Sequence, residues 1–139
     1  MSRYRPRWRS LLYVPVVSER FVAKAHERGA DAIILELEDA VAPSEKERAR
    51  SLVPDAAARV SQRGADVLVR VNRPWRLAVR DLEASIGPHV RGLVLPKVDS
   101  AEHVLALAEI AASVEAERGL EGGHTVFFPR IEGPTGLLN

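Results

Sequence analysis

The sequence predicts an α/β protein of the (β/α)8 TIM-barrel type, incomplete, with about five βα units present. Three observations predict it. Short apolar runs alternate with one-sided helical stripes along the chain, the signature of serial βα repetition and a parallel sheet. Polar residues close the second to the fifth of these runs, and a barrel gathers its active site at those strand ends. Neither a G-x-G-x-x-G turn nor a G-x-x-x-x-G-K-[ST] loop is present, which weighs against an open doubly wound nucleotide-binding sheet.

Each element has a local reason. Residues 11–14, Leu-Leu-Tyr-Val, read as a short buried strand ending at Pro15. Ser18 is placed to cap a helix with Phe21, Val22 and Ala25 inward, and Gly29 closes it. Residues 32–37 form the second strand. Glu36 interrupts its apolar run, so one position there faces a polar interior or a site mouth. Alternation sets Glu36 and Glu38 on the same side.

Ser44 and Glu47 have capping-box spacing. Ala49, Leu52, Val53, Ala56 and Val60 then repeat with helical period up to Gly64. Pro54 inside that stripe is expected to kink or divide the helix. Residues 67–71 form the third strand. A helix follows Pro74 with Val79, Leu82 and Ile86 inward, and it stops at Gly87-Pro88. Residues 92–95 form the fourth strand. Asp99 and Glu102 again suggest a capping box, before the stripe Val104, Leu107, Ala108, Ala111 and Val114. Residues 125–131 form the fifth strand, and Gly133-Pro134 opens one more turn or helix.

A complete barrel needs about 250 residues, and this chain has 139. Residues 1–139 are therefore expected to be the N-terminal part of a single TIM-barrel domain. Such a piece has two open sheet edges, for which self-association into a homo-oligomer is expected. The expected settings are a fragment, a half completed by another chain, or a truncated relative without activity.

The composition excludes several function classes. Hydrophobic residues make up 46% and charged residues 28%, with a net charge of +1, which gives no electrostatic case for nucleic acid. The chain has no cysteine, so disulfides, thiolate catalysis and Cys-bound zinc are out. No apolar run approaches the length of a membrane span or a secretory signal. No membrane partner is expected, and the cytoplasm is the default location. Arg3, Arg5, Arg7 and Arg9 make a basic start. A solvated tail is the plain reading; an arm against a neighbouring subunit or an anionic cofactor is the other.

Several motifs then occur in order. They are Arg9-Ser10-Leu11-Leu12-Tyr13-Val14-Pro15, Glu19-Arg20-Phe21, the run of residues 29–43 containing Leu35-Glu36-Leu37-Glu38-Asp39-Ala40, and Lys46. Val69-Arg70-Val71-Asn72, Leu95-Pro96-Lys97-Val98 and Ile131-Glu132-Gly133-Pro134-Thr135-Gly136 follow. Together they resemble the HpcH/HpaI aldolase and citrate lyase family over nearly the whole chain, but over only the N-terminal half of a typical member.

The resemblance implies a (β/α)8 barrel binding Mg2+ or a similar divalent ion. It implies cleavage or formation of a carbon–carbon bond beside a carboxylated carbonyl. The substrate would be a small-molecule carboxylate or an acyl thioester carried on coenzyme A or an acyl-carrier protein. The leading expectation is a divalent-metal-dependent carbon–carbon lyase acting on a citryl- or malyl-type thioester. An aldolase using a free 2-keto acid is the first alternative. A non-catalytic truncated barrel with an assembly or interaction role is the second.

The resemblance also assigns residues. Glu132 corresponds to a metal ligand, as suits a hard carboxylate at a strand end; a second family ligand lies beyond residue 139. Arg70 sits between Val69 and Val71, pointing away from both, and corresponds to the arginine that holds the keto-acid portion. A buried guanidinium needs an anionic partner, and its planar fork suits a carboxylate. Glu38 and Asp39 correspond to active-site carboxylates, with the acid–base role open between them. Lys97 and Asn72 are candidates for substrate binding, against an ion pair and a loop brace respectively. Arg20 corresponds to a contact with the thioester arm, against a plain surface arginine. His26, His89, His103 and His124 are read as structural or exposed. Two positions depart from the family pattern. Val16 stands where glycine is usual, and Gly133-Pro134 follows Glu132 where threonine or serine is usual.

Overall fold

The computed structural model describes residues 5–139; Arg3 of the basic start lies outside the described residues. The elements run β1 (Leu11–Pro15), α1 (Glu19–Ala25), β2 (Ala32–Glu36), a 3-10 turn (Pro43–Glu45), α2 (Lys46–Val60), β3 (Asp66–Arg70), α3 (Trp75–Ser85), β4 (Gly92–Leu95), α4 (Ala101–Glu117), β5 (Val126–Pro129) and α5 (Pro134–Leu138). All five strands pair in parallel, in the order β1-β2-β3-β4-β5.

Sequential order is what separates a barrel wall from a doubly wound sheet, in which the order reverses. The core confirms the one-sided arrangement. Val14, Ile33, Leu35, Val67, Val69, Leu93 and Leu95 pack with Val22, Ala49, Val53, Ala78, Leu82, Leu107 and Ala111 from the four long helices. On the opposite face Ala32, Ile34, Leu68 and Val94 form a smaller cluster, against which Trp8 and Leu11 pack. Helices α1 to α4 touch their sequence neighbours as a single layer. The structure is thus a curved wall, helix-covered outside and lined by strand residues inside.

Register places the site. Pro15, Glu36, Arg70, Val94 and Phe128 lie in one row across the sheet at its C-terminal edge. Gly92 allows β4 and β5 to approach closely, because a Cβ there would lie 2.7 Å from the Val126 carbonyl oxygen.

The N-terminal segment is not a free tail from Trp8 onward. The Trp8 indole donates to Asp66 at 2.7 Å and meets Phe128 edge-on at 6.4 Å. The Arg9 and Ser10 amides both donate to Asp31. These contacts pin the chain at the foot of β1 and β2.

Several local expectations shift. Helix α2 runs through Pro54 undivided. Pro54 is exposed, while Ala49, Val53, Ala56, Ala57 and Val60 keep one buried stripe on both sides of it, and this burial offsets the lost backbone bond. Ser44 makes no cap, because the 3-10 turn moves the start of α2 to Lys46. Ser100, not Asp99, caps α4 by accepting from the His103 amide at 3.3 Å. Asp99 instead pairs with Arg73 at 2.6 Å. Helix α1 ends at Ala25, before Gly29. Among the described residues no helix is long and apolar enough to cross a membrane.

Candidate functional site

The ends of β2, β3, β4 and β5 bring one charged group together. Val69 and Val71 face the helices, which turns Arg70 to the concave side. There the Arg70 guanidinium pairs with Glu36, lies 3.4 Å from Glu38 and 3.8 Å from Asp39, and stands over the Tyr13 ring at 5.0 Å. Glu36 is 2% exposed, so the break it makes in the β2 run is an inward carboxylate. Burial opposes the Arg70 charge, but the hydrogen bond and charge of Glu36, with Glu38 behind, outweigh it and raise the Arg70 pKa.

Lys97 completes a bridge. Its ammonium donates to Glu38 Oε1 at 2.6 Å, and its backbone N–H donates to Glu132 Oε2 at 2.8 Å. Lys97 has φ +49, a left-handed backbone uncommon for a side-chain-bearing residue. The hydrogen bond to Glu38 is the main reason its pKa is raised, with the nearby charges of Glu38, Asp39 and Glu132 adding to it. Glu132 also receives Arg130 at 3.0 Å, and Arg130 donates to the Tyr13 hydroxyl at 3.2 Å.

Five of the sequence-predicted residues therefore meet at one strand-end mouth: Glu38, Asp39, Arg70, Lys97 and Glu132. Asn72 sits just behind it. It is buried, and its amide nitrogen donates to Leu37 O at 3.0 Å and to Asp81 Oδ2 at 2.7 Å. Both amide hydrogens are thus engaged. Arg20 lies apart, exposed on α1, with its guanidinium 6.0 Å from the Phe21 ring.

Sequence reasoning assigned no site role to three neighbours. Tyr13 sits between Arg70 and Arg130, and strand alternation on β1 was the signal available for it. Lys46 donates to Leu37 O at 2.7 Å and to Glu38 O at 2.5 Å. Burial lowers its pKa against the opposing pull of Asp81, Glu36, Glu38 and Asp39. Asp81 is fully buried on the inward stripe of α3, where an apolar residue is the default. The histidines stay outside this group. His103 packs edge-on against Trp75 at 5.1 Å, and His124 Nε2 lies near the Gly87 and Val90 carbonyls. Val16 is buried in the main core, not turned to the mouth.

The donor set suits a divalent cation only in part. Glu132 offers a hard, partly exposed carboxylate, and Glu38 Oε2 is a buried acceptor without a hydrogen-bond partner. Among the described residues no group of three or more His, Cys, Asp or Glu side chains could hold a metal. These residues can therefore contribute ligands but do not close a site.

Residues 9–139 match the description "HpcH/HpaI aldolase/citrate lyase". The chain belongs to this family. It is 36% identical over 132 residues to citrate lyase subunit beta of Escherichia coli (strain K12), covering 93% of this chain and 43% of that protein. It is 36% identical over 136 residues to a (3S)-malyl-CoA thioesterase of Cereibacter sphaeroides, covering 91% and 47%. The chain thus spans less than half the length of these relatives. Among solved structures, the citrate lyase beta subunit of M. tuberculosis complexed with oxaloacetate and magnesium aligns with a TM-score of 0.58 at 30% identity, over 85% of this chain and 55% of that one. Haloferax volcanii malate synthase aligns with a TM-score of 0.84 at 20% identity, over 98% and 45%, a likeness of fold.

Proposed function

We propose that residues 1–139 form the N-terminal part of a single TIM-barrel domain. Its activity would be that of a divalent-metal-dependent carbon–carbon lyase acting on a citryl- or malyl-type thioester. One observation carries the reading. Glu38 is held between Arg70 and Lys97, with Asp39 beside it and Glu132 bonded to the same lysine. This is a fixed set of charges at the strand ends where barrel enzymes work. The match to citrate lyase beta subunits supports the reaction class, and the magnesium and oxaloacetate of the M. tuberculosis protein support the metal and the keto-acid product.

In this reading Glu132 supplies one ligand to Mg2+, with the others coming from substrate, water and protein outside this chain. A bound ion would draw charge from the substrate hydroxyl oxygen and so ease loss of its proton. Arg70 and Lys97 hold the substrate carboxylate and lower the cost of negative charge in the mouth. Asp39, 70% exposed as a side chain, takes the substrate hydroxyl proton. Glu38, locked by Lys97, fixes the field. As that O–H bond breaks, its electrons form the new carbonyl and the carbon–carbon bond breaks. The bonding pair leaves on the thioester fragment as an enolate, which is then protonated at carbon. Asn72 borders the mouth from behind. Arg20, exposed on α1 and apart from this group, is the contact proposed for the coenzyme A or acyl-carrier arm. A homo-oligomer remains part of the proposal.

The test is carbon–carbon cleavage of citryl and malyl thioesters with added Mg2+, following keto acid and thioester products. Wild-type rates in both Arg70→Ala and Glu132→Ala would sink the assigned roles. Release of free coenzyme A without carbon–carbon cleavage would favour a thioesterase, as the Cereibacter relative is named. Turnover of a free 2-keto acid with an aldehyde, and none of thioesters, would favour the aldolase.

A further inference from the structure

Behind the mouth lies a buried polar brace that the proposed chemistry does not use. Asp81, fully buried on α3, accepts through Oδ2 from both the backbone N–H and the amide nitrogen of Asn72, each at 2.7 Å. Its other oxygen receives Arg50 Nε at 2.7 Å. Arg50 reaches in from α2 and is held on its outer side by Glu47 at 3.0 Å. Asn72 passes the constraint forward by donating to Leu37 O. Lys46 clamps the same carbonyl and that of Glu38. The Glu38 amide closes the arrangement by donating to Glu36 Oε1 at 2.5 Å.

A buried carboxylate is costly unless each acceptor is used. An apolar residue at position 81 would satisfy the α3 stripe at lower cost. The aspartate has a specific consequence here: it ties α2 and α3 to the two residues at the end of β2 that aim the Glu38 carboxylate. A displacement of about 1 Å at a catalytic group can cost about 100-fold in rate, so a stiff support at this point has a function.

We propose that Asp81 is a positioning residue. Acting through Asn72, and with Lys46 on the opposite side, it fixes the Leu37-Glu38 backbone and thereby the placement of the Glu38 carboxylate between Arg70 and Lys97. The proposal rests on the lyase reading for its catalytic meaning, but the brace itself is measurable without turnover.

The test uses the full chain with Asp81→Asn, Asn72→Ala and Lys46→Met. Two quantities are read: amide hydrogen exchange along β2, and kcat against KM for thioester cleavage. The expected result is exchange at the Glu38 amide faster by about 10-fold or more, with Ile33 in mid-strand changed by less than about 3-fold. The variants lose about 100-fold in kcat with KM within about 3-fold of wild type. Asp81→Glu, which keeps both acceptors, recovers part of the loss. Unchanged Glu38 exchange in the folded variants would overturn the proposal. So would an equal rise along all of β2, since a merely structural aspartate loosens the whole strand. If Asp81→Asn fails to fold, Asn72→Ala decides, because Asp81 reaches the Leu37 carbonyl through Asn72. The expected exchange pattern in a protein with no lyase activity would defeat the lyase reading and leave the brace standing.

Discussion

Lys97 holds at once two carboxylates that follow different strands, its ammonium 2.6 Å from Glu38 Oε1 and its backbone N–H 2.8 Å from Glu132 Oε2. The side chain is 53% exposed, so the ion pair with Glu38 contributes little to stability, within about 1 kcal/mol. Its value is placement of charge. Lys97→Met is expected to lower kcat/KM by about 100-fold, the scale of a removed charged contact. Its urea midpoint should stay close to wild type. A variant of unchanged kcat/KM would remove Lys97 from the site.

Arg70 presents the opposite balance. It is the cation that neutralises buried Glu36, with Glu38 close behind. Arg70→Ala removes the cation paired with Glu36, which is 2% exposed in the native structure, and the expected loss is about 3–5 kcal/mol by urea unfolding. The double variant Glu36→Gln with Arg70→Met removes both charges and should recover most of that loss. Additive losses in this double-mutant cycle would mean the pair is not coupled.

The sequence made the strand ends legible because charge there interrupts an apolar run. Glu38, Asp39, Arg70, Lys97 and Glu132 all announce themselves this way, and the structure places them at one mouth. The order of the five strands was legible for a related reason, since serial βα repetition leaves few parallel topologies. What stayed hidden was long-range pairing inside regular elements. Asp81 sits in a helical stripe, and only the fold brings Asn72 and Arg50 to it. Asn72 as a substrate contact and Asn72 as a brace are the same letter in the sequence; its two buried partners distinguish them. Pro54 misled for the converse reason: local backbone chemistry predicts a break, and tertiary burial of the flanking stripe outweighs it.

Gly92 sets the spacing of the last two strands. A methyl group there meets the Val126 carbonyl at 2.7 Å and its side chain at 2.8 Å. The shortest contact is with backbone, so a side-chain rotation cannot relieve it and β5 itself must shift. Gly92→Ala is expected to destabilise by about 1–3 kcal/mol. It should also displace Glu132, which follows β5, from the Lys97 amide. Thermal unfolding reports the first effect, and loss of amide protection at Lys97 the second. A variant of wild-type stability would show that β5 yields freely.

His103 adds an acid-side dependence of stability. Burial lowers its pKa, and the nearby Arg73 charge lowers it further against the opposing pull of Asp99. The residue is 6% exposed and its ring packs edge-on against Trp75, with Nδ1 unpaired. The folded state therefore binds this proton less readily than the unfolded chain does. Above the ordinary histidine value of about 6.5, both states are neutral and the contribution is fully present. As pH falls through that value the unfolded chain takes up the proton first, so stability declines. The decline ends only below the lowered folded-state pKa. His103→Phe keeps the aromatic contact and removes the titration. Its stability, followed by urea unfolding at a series of pH values, should fall less steeply below about pH 6.5 than that of wild type. Parallel curves for the two proteins would show that His103 is not the group responsible.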